Sequence, residues 1–276
     1  MGRIIWLASY PKSGNTWMRA YLHNLLGDPQ QAYDINRLGE FSFSDSTADH
    51  YQPYLSKPPA EWTFEEVAAN RWNVQRDLGR TRAADVFVKT HNAHLALAGQ
   101  PLIHMDLTAA AIYIVRNPLD ICISLADHYG CGIDDSIRIL ADDSRGAPNT
   151  GQLVFEVHGS WSKHVHSWTW KPGPRLRVVR YEDMLNRPMA VFSQVTGFLG
   201  LKPPRDRIDR AIDAASFKSL RAQEDRTGFR ERSHNAEKFF RVGKAGQWRT
   251  ALSPAQIDRV VAAHKEQMAR FGYWPL

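Results

Sequence analysis

Residues 9–17, SYPKSGNTW, combine a lysine, hydroxyl side chains and a glycine in a pattern that could bind an anion. They follow a short apolar run and precede a helical pattern, and a strand, a tight turn and a helix N-terminus together present backbone N–H groups to an anion. Lys12 adds a movable positive charge. In nucleotide hydrolases the loop lysine directly follows a glycine, whereas Lys12 lies before Gly14. The stretch therefore predicts a phosphate-binding loop of a different kind.

Strands and helices must position this loop. Residues 3–9 (RIIWLAS) form an apolar run that predicts a buried strand, and apolar side chains recurring every four positions in residues 15–26 predict the helix that follows. Further strands are predicted at 85–89, 110–115 and 176–180, with helical patterns between them. Such alternation is typical of a parallel sheet flanked by helices. We therefore predict an α/β fold, a three-layer sandwich with a central parallel β-sheet and a P-loop-like loop after the first strand.

The rest of the chain shows further helical patterns and irregular segments. Helices are predicted at 118–129, with Pro118 in the first turn, around 157–168, and from Ser253-Pro254 onward. The segments without clear periodicity are 27–59, 142–152 and 222–246. Because no internal repeat or linker is visible, the chain is predicted to be a single domain, residues 1–276.

Composition and charge narrow the function classes. The 276 residues, 43% of them hydrophobic, suffice for a sizeable core, and the net charge of +6 favours anionic ligands. The lysines and arginines are dispersed along the chain, which argues against a nucleic-acid-binding tail. The two cysteines, Cys122 and Cys131, lack a zinc-binding spacing. No apolar run approaches the roughly 20 residues that span a bilayer, so we expect a soluble, cytoplasmic protein without a membrane partner.

Several motifs together resemble one family. The string YPKSGNTW at 10–17 resembles the 5′-phosphosulfate-binding loop of the cytosolic sulfotransferases, whose pattern is close to YPKSGTTW. VRNPLD at 115–120, followed by Ser124, resembles their 3′-phosphate-binding segment, and FVKTH at 87–91 resembles their third-strand motif with its catalytic histidine. Further matches are GSW at 159–161, RYEDM at 180–184, SF at 216–217, FRVG at 240–243 and GQW at 246–248. The resemblance covers nearly the entire chain.

The resemblance implies a reaction and its ligands. The sulfuryl donor would be 3′-phosphoadenosine 5′-phosphosulfate (PAPS), the product adenosine 3′,5′-bisphosphate (PAP), and no metal would be needed. The acceptor would be a hydroxyl or amine of a small molecule such as a phenol, an alcohol or a natural product, with no nucleic acid involved. The chain would act as a monomer or homodimer. Two alternatives are a P-loop-type kinase, which shares the architecture, and a non-catalytic nucleotide-binding protein. The position of Lys12 and the Arg116/Ser124 pair disfavour the kinase, and retention of Lys12 and His91 disfavours the non-catalytic protein.

Roles can be carried over by position. Lys12 would stabilise the leaving phosphate, and His91 would be the general base, since an imidazole with a pKa near 6.5 suits proton transfer at neutral pH. Lys89, two residues earlier on the same strand, would share its face and support the transition state. His94 is a weaker competitor for the role of base. The cofactor-binding residues implied by the resemblance are Lys12, Ser13, Gly14, Asn15, Thr16, Trp17, Arg116, Ser124, Tyr181, Phe217, Arg241 and Gly243.

Some positions depart from the family pattern or carry a less specific signal. Asn15 replaces a threonine but keeps a side-chain donor, Val242 replaces the lysine of an RKG element, and Gln247 replaces an aspartate. Lys238 or Lys244 could compensate for Val242.

The histidines His158, His164 and His166 have helical spacing and predict a packed or solvated helix face rather than a metal site. Loop position and aromatic content suggest an apolar acceptor pocket made of Phe41, Phe43, Tyr51, Tyr54, His128 and Tyr129.

Overall fold

The core of the fold is a parallel β-sheet. The computed structural model describes residues 2–28, 30–97 and 99–275. Within them the central sheet has five strands in the order β2-β3-β1-β4-β5, and every neighbouring pair is parallel. The strands are β1 (Ile4–Ser9), β2 (Ser42–Ser44), β3 (Val86–Thr90), β4 (Thr108–Val115) and β5 (Leu176–Arg180). The sequence predicts all of these except β2, which is too short to show a pattern.

Helices follow the strands and cover both faces of the sheet. They are α1 (Asn15–Gly27), α2 (Leu38–Phe41), α3 (Phe64–Arg80), α4 (Pro118–Tyr129), α5 (Ile133–Ala141), α6 (Trp161–Thr169), α7 (Tyr181–Asn186), α8 (Pro188–Phe198), α9 (Arg205–Ala214), α10 (Phe217–Thr227), α11 (Trp248–Ala251) and α12 (Pro254–Arg270). The helix predicted around 157–168 begins only at Trp161, because the Ser160 side chain caps it and Val157 lies in a short strand, Glu156–Val157, paired with Gly146–Ala147.

Alternate strand residues pack into two separate cores. Trp6, Val88 and Tyr113 face a core that includes residues of α3, α4, α6 and α12. Leu7 and Ile112 face the opposite core, which includes residues of α1, α8 and α9. This alternation follows from the two-residue period of a strand. It produces the predicted layers of helix, sheet and helix, so the α/β three-layer prediction is confirmed.

The register of the sheet brings three loops together. Ala8 of β1 pairs with Thr90 of β3, and Ser9 pairs with Ile114 of β4. The strands therefore end at the same edge, and the loops that begin at Tyr10, His91 and Arg116 leave it side by side. In open α/β sheets ligands bind outside this carboxyl edge.

A segment after α10 covers this edge. We call residues 229–240 the roof segment. The Ser233 hydroxyl donates to the carbonyl of His128 at 2.7 Å, at the end of α4. The carboxylate of Glu224, in α10, accepts the backbone N–H groups of Phe239 and Phe240 at 2.7 and 2.9 Å. The predicted irregular stretch 222–246 is therefore partly helical, since α10 continues to Thr227, but the roof segment lacks a helix or strand.

Candidate active site

The loop between β1 and α1 has an unusual backbone conformation. Lys12 has φ of 67° and Gly14 has φ of 104°, so the chain turns sharply before α1 begins. A Cβ atom on Gly14 would lie 2.7 Å from the ring of Tyr181, so only glycine fits this position. Asn15 donates its side-chain amide to the carbonyl of Leu7 at 2.7 Å. The side-chain donor that Asn15 keeps therefore braces the loop against β1.

Lys12 lies among positive charges under the roof segment. Its Nζ is 4.5 Å from the centroid of the Phe239 ring. Burial lowers the Lys12 pKa from 10.5 to about 8; Asp127 opposes the shift, whereas the charges of Arg116, Lys89 and Arg241 add to it. Like charges therefore converge on this end of the sheet, which favours binding of a multiply charged anion.

Arg116 connects the end of β4 to the loop. Its guanidinium NH1 donates to the carbonyl of Lys12 at 2.9 Å, and its Cζ lies 4.4 Å from the centroid of the Tyr181 ring. The side chain is buried. Ser124 lies two helical turns further on, in α4, and is partly exposed, while Arg241 is exposed. The structure thus brings Arg116 to the loop. Ser124 lies in α4, and Arg241 directly follows the roof segment.

Four buried polar atoms at this loop lack a hydrogen-bond partner among the described residues: Ser13 Oγ, Asn15 Oδ1, Trp17 Nε1 and Arg116 Nε. Buried polar atoms are normally paired. Ser13 Oγ, Trp17 Nε1 and Arg116 Nε can each donate a hydrogen bond, whereas Asn15 Oδ1 accepts one. Ser13 precedes α1 and Trp17 lies in its first turn, where the helix dipole also favours negative charge. These residues therefore fit an anionic ligand with polar substituents.

Aromatic side chains border the same loop. Trp17 lies edge-on to Tyr181, with ring centroids 5.7 Å apart. Phe217, at the start of α10, packs against the turn at Gly243, where a Cβ atom would lie 2.2 Å from the Phe217 ring. Gly243 itself has φ of 64°. Of these predicted cofactor-binding residues, Trp17 and Tyr181 are therefore neighbours, and Phe217 is fixed beside the Gly243 turn.

His91 is held as a neutral imidazole. Its Nδ1 lies 2.8 Å from the carbonyl oxygen of Ser9. Because a carbonyl only accepts, the proton is on Nδ1 and Nε2 keeps a lone pair. Burial, with a smaller contribution from the charge of Lys89, lowers the His91 pKa from 6.5 to about 3. The His91 carbonyl in turn accepts from His164 Nε2 at 3.1 Å, whose Nδ1 lies 2.9 Å from the Tyr113 hydroxyl.

His94 and His158 contact other side chains of the fold. His94 packs its ring on Trp168 at 5.2 Å. His158 Nε2 lies 3.0 Å from a carboxylate oxygen of Glu156, and it precedes α6 rather than belonging to it. Within residues 2–28, 30–97 and 99–275, no group of three or more His, Cys, Asp or Glu side chains could hold a metal ion. None of the helices in this part of the chain is long and apolar enough to cross a membrane.

The predicted aromatic acceptor pocket is wrong for Phe41, Tyr51 and Tyr54. Phe41 stacks on His23 and Phe87 in the core on the α1 side. Tyr51 is fully buried in the opposite core, where its hydroxyl donates to a backbone carbonyl. The Tyr54 hydroxyl contacts Asp77 of α3. These side chains serve different parts of the structure, because the sheet separates the two cores. His128 and Tyr129, in contrast, lie beneath the roof segment.

Three residues beside the site carry no motif signal. Phe239 covers Lys12. Arg19 donates to both carboxylate oxygens of Glu231, at 2.7 and 2.8 Å. Glu231 also lies 3.9 Å from the Lys89 amine. Among these three residues, only Arg19 shows a signal in the sequence, because it is a charged residue within the apolar pattern of α1. Glu231 follows Arg19 by 212 positions, so the sequence could not pair them.

Comparisons with known proteins agree with this geometry. The sulfotransferase domain family matches residues 3–272. The chain is 24% identical to sulfotransferase 1A1 of dog over 280 residues, covering 96% of this chain and 83% of that protein. It is 26% identical to sulfotransferase 1A1 of rat over 282 residues, covering 95% and 83%.

Solved structures share the fold. Mouse sulfotransferase SULT7A1 complexed with PAP has a TM-score of 0.64 at 20% identity, covering 96% of this chain and 84% of that chain. Retinol dehydratase in complex with androsterone and PAP has a TM-score of 0.65 at 18% identity, covering 96% and 80%. The chain therefore belongs to the sulfotransferase domain family and is an enzyme of the sulfotransferase class.

Proposed function

We propose that this chain transfers the sulfuryl group of PAPS to a hydroxyl or amine of a small-molecule acceptor, leaving PAP as product. The observation that carries the proposal is the set of unpaired buried donors, Ser13 Oγ, Trp17 Nε1 and Arg116 Nε, beside Lys12. Both solved relatives named above were captured with PAP. PAPS would supply the sulfuryl group and two phosphate-bearing positions for these donors to bind.

The loop would hold the 5′ end of the nucleotide. Lys12 would stabilise negative charge on the leaving phosphate, because its ammonium extends from the loop that leads into α1. Ser13 offers an unpaired hydroxyl, and Gly14 and Thr16 offer backbone N–H groups. Asn15 would contribute through its backbone, since its side-chain amide is bonded to Leu7.

The 3′-phosphate and the adenine would lie toward α4 and α10. Arg116 and Ser124 would bind the phosphate, with Arg241 and the Gly243 turn closing over it. The adenine would contact Trp17, Tyr181 and Phe217. Lys238 is paired with Asp225 at 2.6 Å, so of the two lysines that could replace the family's lysine at Val242, Lys244 is the better candidate.

His91 would act as the general base. Its Nε2 lone pair would take the acceptor proton as the acceptor oxygen or nitrogen attacks sulfur, while Nδ1 stays bonded to Ser9. The low pKa of ligand-free His91 keeps its imidazole neutral but makes it a weak base. The negative charge of a bound nucleotide would raise that pKa toward the operating pH, as a general base requires. Lys89, whose charge contributes to that shift, would support the transition state from the same side.

Ligand preference separates this function from the kinase. PAP at about 100 times its Kd should raise the free energy of unfolding by about 2.7 kcal/mol, which raises Tm by roughly 5 °C in a chain of this size. We expect that shift without magnesium, and a smaller one with ATP and magnesium. A larger shift with ATP and magnesium would favour phosphoryl transfer instead. Labelled PAPS with a panel of phenols, alcohols and amines would then identify the acceptor class. Single-domain organisation, a cytoplasmic location and a monomer or homodimer stay predictions.

A further inference from the structure

A buried arginine links the phosphate loop's helix to the roof segment. Arg19 lies in α1, just over one turn after the loop, and is only 2% exposed. Its Nε donates to the Ser42 hydroxyl at 2.7 Å, at the start of β2. Its NH1 donates to both carboxylate oxygens of Glu231 in the roof segment. Arg19 is therefore fixed on two sides, and Glu231 has little freedom to move.

Glu231 also faces β3, the strand that carries Lys89 and is followed by His91. One of its carboxylate oxygens lies 3.9 Å from the Lys89 amine. Burial alone would raise the Glu231 pKa, but the charges of Lys89 and Arg19 outweigh it and hold that pKa below its usual value, with a smaller contribution from His91. Glu231 is therefore an anion at neutral pH, placed close to both Lys89 and His91.

We propose that Glu231, fixed by Arg19, is a positioning residue that holds the Lys89 ammonium beside His91. The proposal rests on the function proposed above, because it assigns Glu231 a part in the same transfer. Glu231 is already bonded to Arg19, so it acts through Lys89 rather than on the acceptor.

The surrounding charges explain why Lys89 needs such a partner. The charge of Lys89 contributes to lowering the Lys12 pKa, so the two amines lie close enough to repel each other, and that repulsion favours rotamers of Lys89 that point toward solvent. Lysine has a long stem with many rotamers, and its side chain is 23% exposed. A fixed carboxylate supplies the attraction that selects the inward rotamer. Misplacing a catalytic group by about 1 Å costs up to about 100-fold in rate.

The test compares Glu231→Gln with Glu40→Gln. Glu40 pairs with Arg37 on the surface, and both side chains are about 60% exposed, so this control removes an ion pair far from any motif. The assay follows labelled sulfate from PAPS to 4-nitrophenol, and to water when no phenol is present. We expect Glu231→Gln to lower kcat by roughly 10-fold to 100-fold, with PAP affinity changed less than about threefold and Glu40→Gln matching wild type.

A double-mutant cycle distinguishes positioning from a general structural role. In a Lys89→Met background, Glu231→Gln should change kcat by less than about twofold, because the residue it positions is gone. If Glu231→Gln does not fold, Glu231→Asp keeps the charge beside Arg19 and shortens the reach to Lys89, and it should show the same dependence on Lys89.

The outcomes separate the two proposals. Unchanged kcat in the folded Glu231 variant, or an equal loss with and without Lys89, would overturn the positioning role while leaving sulfuryl transfer intact. A wild-type protein that neither transfers nor releases sulfate from PAPS would overturn the proposed function itself, and the positioning role with it.

Discussion

Replacing Gly14 by alanine should distort the proposed phosphate-binding loop. Gly14 has φ of 104°, a conformation that L-residues with a Cβ rarely adopt, and forcing it costs about 1–3 kcal/mol. The added Cβ would also lie 2.7 Å from the ring of Tyr181, so the ring must shift by roughly 1 Å to reach an ordinary carbon–carbon distance.

That shift would reach Arg116, which we propose binds the 3′-phosphate. The Tyr181 ring centroid lies 4.4 Å from Arg116 Cζ, and loss of such a contact costs about 0.5–2 kcal/mol. Together we expect Gly14→Ala to lower the free energy of unfolding by about 2–4 kcal/mol. PAP affinity should fall by roughly 10-fold to 100-fold, since both the loop backbone and Arg116 move.

Urea unfolding and calorimetric titration with PAP would measure both effects. Gly197→Ala is the matched control: Gly197 lies within α8 and a Cβ there meets no atom within 4 Å. It should stabilise the protein by about 0.5–1 kcal/mol and leave PAP affinity unchanged. If Gly14→Ala unfolds at the wild-type urea concentration and binds PAP equally well, the loop geometry described above is not what forms the site.

Three further predictions concern single groups. Arg116→Met should weaken PAP binding by about 1.5–3 kcal/mol, because it removes a charged donor, and calorimetry showing a change below about twofold would contradict its role. His91→Ala should lower turnover by about 10²–10⁴-fold while PAP still binds; a variant that turns over normally would exclude His91 as the base. Because the Lys12 pKa falls from 10.5 to about 8, PAP affinity should decrease as pH rises through 8; a flat profile between pH 7 and 9 would count against a charged Lys12. Between those two pKa values the free energy of unfolding of the ligand-free protein should increase as the pH rises, because the unfolded chain binds more protons there. Urea unfolding at several pH values would measure this increase.

The parts of the site that sequence could predict are local. The loop at 9–17 and the strands that end at Ser9 and Thr90 follow from apolar runs and turn residues within a few positions. The same is true of Arg116, which ends a predicted strand. Because parallel strands end at one edge, predicting the strands also predicts that these loops meet.

The parts that sequence could not predict depend on distant packing. Residues 229–240 lack periodicity, so nothing in them indicates that they cover Lys12. The Arg19–Glu231 ion pair joins two residues with no shared motif. The aromatic pocket failed for a related reason, since Phe41 and Tyr51 are ten positions apart but pack in cores on opposite faces of the sheet. Composition alone does not tell which face a loop residue will reach.

Calorimetric titration without magnesium, comparing PAP with adenosine 5′-monophosphate, tests the central claim most directly. If the loop holds one phosphate and Arg116 another, PAP should bind at least about 10-fold more tightly, because a charged hydrogen-bonded contact is worth about 1.5–3 kcal/mol. Equal affinities, or no binding of PAP at millimolar concentration, would contradict a site built for a bisphosphorylated nucleotide.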